Sequence, residues 1–121
     1  MAERRALVVD DTSIMRMIVG KVLREQHYDV TEATNGAEAI QLFMSTRPHV
    51  VILDLNMDPI DGTTALRGIL SVDPGARIVV CSSTSDAHVV VNLIKLGARS
   101  YITKPFTPDR LMQAVNDALA L

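Results

Sequence analysis

Val50-Val51-Ile52-Leu53-Asp54 is an apolar run, opened by two valines, that ends on a carboxylate, and the turn-rich segment Leu55-Asn56-Met57-Asp58-Pro59-Ile60-Asp61-Gly62 follows at once. An apolar run without polar alternation is what a strand covered on both faces looks like, and such strands belong to parallel sheets. Asp54 then stands at the carboxyl end of a buried strand, the side on which open α/β sheets bind their ligands. Alone, Asp54 reads more readily as a turn residue than as a reactive one. Its neighbours in the fold decide.

Working outward, Arg5-Ala6-Leu7-Val8-Val9-Asp10-Asp11 repeats the pattern, an apolar strand that stops on acids. Thr12 or Ser13 caps a helix with apolar positions at Ile14, Met17, Ile18, Val22 and Leu23. Asp29-Val30-Thr31-Glu32 is a short second strand, Asn35-Gly36 a turn, and Ala37 to Met44 a second helix stopped before Pro48. After the third strand, Thr63 to Leu70 gives a third helix, with Gly68 inside it at a cost of about 1 kcal/mol. Arg77 to Cys81 is a fourth strand that delivers Ser82-Ser83-Thr84-Ser85 to the same edge. A fourth helix runs from about Asp86 to Leu96 and ends at Gly97, and Ser100 to Thr103 is a fifth strand that delivers Lys104. The last helix starts near Thr107-Pro108-Asp109 and carries Leu111, Met112, Val115, Ala118 and Leu119.

Five βα units predict an α/β fold, a five-stranded parallel sheet doubly wound with five helices, in the flavodoxin-like order 2-1-3-4-5. The length of 121 residues fits a single domain over 1–121. With no Trp and only two Phe and two Tyr, its core must be aliphatic. The single cysteine, Cys81, permits no internal disulfide and fits a buried position in a reducing, cytoplasmic compartment. No stretch resembles a leader or a membrane span, and a formal charge of −2 without a dense Lys/Arg run argues against direct nucleic-acid binding.

In that strand order the first and third strands are neighbours, which gathers Asp10, Asp11 and Asp54 at one crevice, with Ser82 and Lys104 on its other side. Two carboxylates about 4 Å apart repel by roughly 4 kcal/mol at an effective dielectric of about 20, so three must protonate or recruit a cation. All-oxygen ligands on an open surface suit magnesium, Mg2+. The histidines, His27, His49 and His88, lack zinc-like spacing. A carboxylate beside a divalent cation, with a lysine and a hydroxyl, is the set that a phosphoryl acceptor needs.

These residues carry a resemblance. Val8-Val9-Asp10-Asp11-Thr12-Ser13-Ile14-Met15-Arg16, Leu53-Asp54 with Asp61-Gly62, Ser82, and Gly97-Ala98-Arg99-Ser100-Tyr101-Ile102-Thr103-Lys104-Pro105-Phe106 are similar to the motifs of two-component response-regulator receiver domains over the whole chain, most like stand-alone, CheY-like chemotaxis members. The resemblance implies that Asp54 takes a phosphoryl group from the phosphohistidine of a sensor histidine kinase or phosphotransfer protein. Asp11, Asp54 and the Asn56 main-chain carbonyl would bind Mg2+, with Asp10 acting through water. Ser82 and Lys104 would hold the phosphoryl oxygens, and Tyr101 would repack as Ser82 moves. A downstream protein would then read the face made by the fourth helix, fifth strand and fifth helix. Met57-Asp58-Pro59 departs from the family's Met-Pro, and Asp58 is expected to add an outer contact to the cation; Ser83 replaces a residue that is commonly Ala or Gly.

The fourth helix carries two apolar stripes. Ala87, Val90, Val91 and Ile94 are expected to face the sheet, and Val89, Leu93 and Leu96 to offer a surface to a partner or a weak dimer. Two other classes fit less well. A phosphatase with an Asp54 nucleophile would use a second acid where Asn56 stands, and the phosphate of a flavin would be repelled by Asp10 and Asp11.

Overall fold

The computed structural model describes residues 4–55, 59–84 and 86–120, with the side chains of 59–61 outside the description. Strands β1 (Arg4–Val9), β2 (Tyr28–Ala33), β3 (Val50–Asp54), β4 (Ile78–Ser82) and β5 (Ser100–Thr103) alternate with helices α1 (Ser13–Glu25), α2 (Gly36–Thr46), α3 (Pro59–Val72), α4 (Ala87–Leu96) and α5 (Pro108–Ala120). The strands form one parallel sheet in the expected order, β2-β1-β3-β4-β5.

The side-chain period of two explains why the central strands are apolar throughout. Leu7, Val9, Val51, Leu53, Ile78 and Val80 face one helical layer with Phe43, Leu66, Ile69 and Leu93. Ala6, Val8, Val50, Ile52, Val79, Cys81 and Ile102 face the other with Val19, Leu23, Leu111 and Val115. Every residue of β3 and β4 is buried, and truncating one such aliphatic side chain to Ala costs about 2–5 kcal/mol.

Local chemistry sets the helix ends. Asn35 Oδ1 accepts from Glu38 N at 2.8 Å while Glu38 Oε1 accepts from Thr34 N at 2.8 Å, a reciprocal cap on α2. Asp86 Oδ1 accepts from His88 N at 2.8 Å and starts α4, which Gly97 ends at φ 119°. Helix α3 begins at Pro59, earlier than the Thr63 expected, because proline is well suited to a first helical turn. β2 is longer than expected, and β4 is shifted one residue forward, so that Ser82 belongs to the strand.

Two helices are rotated from their expected phase. In α1 the buried positions are Val19, Gly20 and Leu23, while Ile14, Met17 and Ile18 are 64%, 61% and 46% exposed. In α4 the residue against the sheet is Leu93, whereas Val91 and Ile94 of the stripe expected inside are about half exposed. Both helices have apolar residues on more than one side, so spacing alone admits two stripes.

Candidate functional site

The parallel register delivers the site. Val9 pairs with Leu53 and Asp54 with Cys81, so the residues after β1, at the end of β3 and at the end of β4 meet at one carboxyl-end crevice. Oxygens of Asp10, Asp11 and Asp54 all lie within 4.8 Å of one another. Asp10, Asp54 and Ser82 are buried, while Asp11 is exposed at the mouth. The donor set is all oxygen, with one member open to solvent, which fits a small hard cation that keeps part of its water.

Lys104 enters from the other side. Its backbone N–H donates to the Ser82 carbonyl at 2.8 Å, just past the β4–β5 pairing of Ser82 with Thr103. Its Nζ then donates to Asp54 Oδ1 at 2.9 Å and stands 3.9 Å from Asp10 Oδ2. The peptide bond between Lys104 and Pro105 is cis. Burial, and next the neighbouring Asp54 charge, push the Asp10 carboxyl above its usual value, against the hydrogen bonds from Thr12. Burial likewise pushes the Cys81 thiol up to about 12, so Cys81 is no competing nucleophile despite pairing with Asp54.

Thr12 does more than its cap position suggested. Its N–H and hydroxyl donate to Asp10 Oδ1 at 2.9 and 3.0 Å, and its side chain makes no cap hydrogen bond. An acid followed two residues later by a hydroxyl is the sequence signal for such a local turn. Thr84 N–H donates to Ser82 Oγ at 3.3 Å, and the Thr84 carbonyl accepts from the Tyr101 hydroxyl. Ser82 and Tyr101, singled out separately in the sequence, are thus joined through one intervening residue. Asn56, Met57, Asp58 and Ser85 lie outside the described residues, so the expected Asn56 carbonyl ligand and Asp58 contact do too.

The model of the response regulator receiver domain matches residues 6–116. The chain belongs to that family. Among receiver-domain relatives, it is 39% identical over 114 residues to the chemotaxis protein CheY of Thermotoga maritima, covering 93% of this chain and 95% of that one. It is also 39% identical over 116 residues to CheY of Bacillus subtilis, covering 95% and 97%. A receiver domain protein from Clostridium thermocellum superposes with a TM-score of 0.88 at 27% identity over 97% of this chain and 94% of that one. CheY in the CheX-CheY-BeF3-Mg complex from Borrelia burgdorferi gives 0.87 at 25% identity over 93% and 86%. Membership makes the chain a CheY-like signalling module of two-component type. No helix of the described residues is long and apolar enough to cross a membrane.

Proposed function

We propose that the chain is one cytoplasmic receiver domain that works as a phosphorylation-dependent switch, with Asp54 as the phosphoryl acceptor. The observation that carries this reading is Lys104 Nζ at 2.9 Å from Asp54 Oδ1, beside two further carboxylates that call for a cation. A carboxylate oxygen of Asp54 attacks phosphorus, forming an acyl phosphate as the bond to the donor's imidazole nitrogen breaks. The departing imidazole keeps the bonding pair and takes a proton. Mg2+ bound by Asp11, Asp54 and the Asn56 carbonyl, with Asp10 acting through water, would supply positive charge to the transferring group. Lys104 exchanges its carboxylate partner for a phosphoryl oxygen, and Ser82 Oγ donates to another, so charge is met where it develops. Later attack by water on the acyl phosphate returns Asp54 and inorganic phosphate. No external metabolite is turned over.

Two hydrogen bonds support the switch. When Ser82 Oγ turns to the phosphoryl group it leaves the Thr84 N–H, and the loop that holds the Tyr101 hydroxyl moves with it. Phosphorylation thereby biases a two-state element, and a downstream protein reads the favoured state at α4, β5 and α5. Val91 and Ile94 leave apolar area exposed on α4. Amide NMR tests the coupling. Beryllium fluoride with Mg2+ should shift Ser82, Thr84, Tyr101 and Lys104 in the native chain and leave Asp54→Ala unmoved; equal shifts in the variant would sink the assignment.

A further inference from the structure

We infer that Arg16 is a positioning residue for the acidic pair, holding the peptide between Asp10 and Asp11 so that Asp11 points at the cation. This rests on the reading of Asp10, Asp11 and Asp54 as a cation site. Arg16 lies in the second turn of α1 and folds back over the end of β1. Its Nη1 donates to the Asp10 carbonyl at 2.7 Å and its Nε to Glu32 Oε1 on β2 at 3.1 Å. Its side chain is only 14% exposed, so a planar fork is clamped between two strands rather than waving in solvent.

The rest of Asp10 is held as well. Its N–H donates to the Ala33 carbonyl at 3.1 Å, and its Oδ1 accepts from Thr12. The Asp10 carbonyl belongs to the Asp10–Asp11 peptide, so the Arg16 bond holds that plane directly, and the plane sets the direction in which exposed Asp11 leaves the chain. Hydrogen bonds from a charged donor are about twice as strong as neutral ones, so this contact fixes the plane firmly. Glu32 fixes the guanidinium in turn, and its Oε2 lies 3.6 Å from Arg24 Nη2.

Positioning and simple charge have opposite signs. A guanidinium beside a divalent cation repels it, so an effect through charge alone would make Mg2+ bind more tightly when Arg16 is removed. An effect through orientation makes it bind more weakly, and loss of a residue that orients a ligand typically costs about 10-fold or more in metal affinity. The test is titration with Mg2+ alone, without a phosphoryl donor, at a temperature where circular dichroism shows each chain folded. Arg16→Ala should weaken Mg2+ binding about 10-fold. Arg16→Lys, which keeps the charge but not the fork, should recover only part of this. Glu32→Gln, which keeps an acceptor for Nε, should lose less than either. Unchanged or tighter binding in folded Arg16→Ala overturns the inference, and should Arg16→Ala not fold, native affinity in Arg16→Lys does the same. Failure of the native chain to bind Mg2+ is a different result, which overturns the cation-site reading and the inference with it.

Discussion

Lys104 Nζ lies 2.9 Å from Asp54 Oδ1 and 3.9 Å from Asp10 Oδ2, one cation against two buried carboxylates. Removing it takes away the cationic partner of Asp54 and one donor to the incoming phosphoryl group. Lys104→Met is expected to slow phosphorylation by acetyl phosphate about 100-fold, in line with the loss of a donor aimed at developing charge. Single-time-point intact mass across a concentration series checks this; a native rate would remove Lys104 from the mechanism.

Carboxylates crowded within 4.8 Å oppose folding when no cation is bound. Asp10→Asn should therefore raise the melting temperature in the presence of a chelator by a few degrees, roughly what 1 kcal/mol gives in a domain this size. Mg2+ should raise the melting temperature of the native chain more than that of the variant. Thermal scans with and without Mg2+ decide, and a lower melting temperature for Asp10→Asn in chelator would contradict the picture.

His49 gives a pH dependence away from the site. Its Nδ1 accepts the Arg5 N–H at 2.9 Å, and partial burial, followed by the charges of Arg5, Arg4 and Arg77, lowers its pKa below 6.5. The unfolded chain then binds the proton more readily, so stability is present above the unfolded value and falls as pH drops below it. Urea midpoints at about pH 7.5 and about pH 5.5 should differ less in His49→Asn than in the native chain. Equal pH slopes would remove His49 as a cause.

Gly68 was expected to weaken α3, and the packing explains its presence. A Cβ there would meet Ile40 Cδ1 at 2.3 Å and Cγ1 at 2.8 Å, where α2 and α3 come together. Gly68→Ala gains about 1 kcal/mol of helix propensity but overpacks the interface, which costs about 1–3 kcal/mol. A net loss of about 1 kcal/mol is expected, recovered in part when Ile40→Val is added. Denaturant titration of the double-mutant cycle would show no coupling if the contact is not the reason.

Strand order is written in this sequence more plainly than helix phase. Apolar runs ending in Asp10, Asp11, Asp54 and Ser82 announced the sheet, its order and the edge at which those residues meet, because buried parallel strands allow little else at those positions. Helix phase was less legible. α1 presents Ile14, Met17 and Ile18 on one side and Val19 and Leu23 on another, and only the packing of Gly20 and Leu23 against the sheet distinguishes them. Arg16 and Thr12 were visible as letters but not as parts of the site, since their partners are a main-chain carbonyl and a carboxylate brought close by folding.

The phase of α4 decides which of its apolar residues can be charged without unfolding the chain. Leu93 is core, so Leu93→Asp should unfold the chain, whereas Val91→Asp with Ile94→Asp should keep a native melting temperature and Asp54 phosphorylation while weakening capture of a downstream protein. Unfolding of the double variant would place those residues in the core.

Whether Asp54 accepts a phosphoryl group with the help of a bound cation is read from intact mass after incubation with acetyl phosphate. A phosphoryl-sized gain is expected in the native chain with Mg2+, lost on adding a chelator and absent in Asp54→Ala. A gain that persists in Asp54→Ala, or none in the native chain at any Mg2+ concentration, would contradict it.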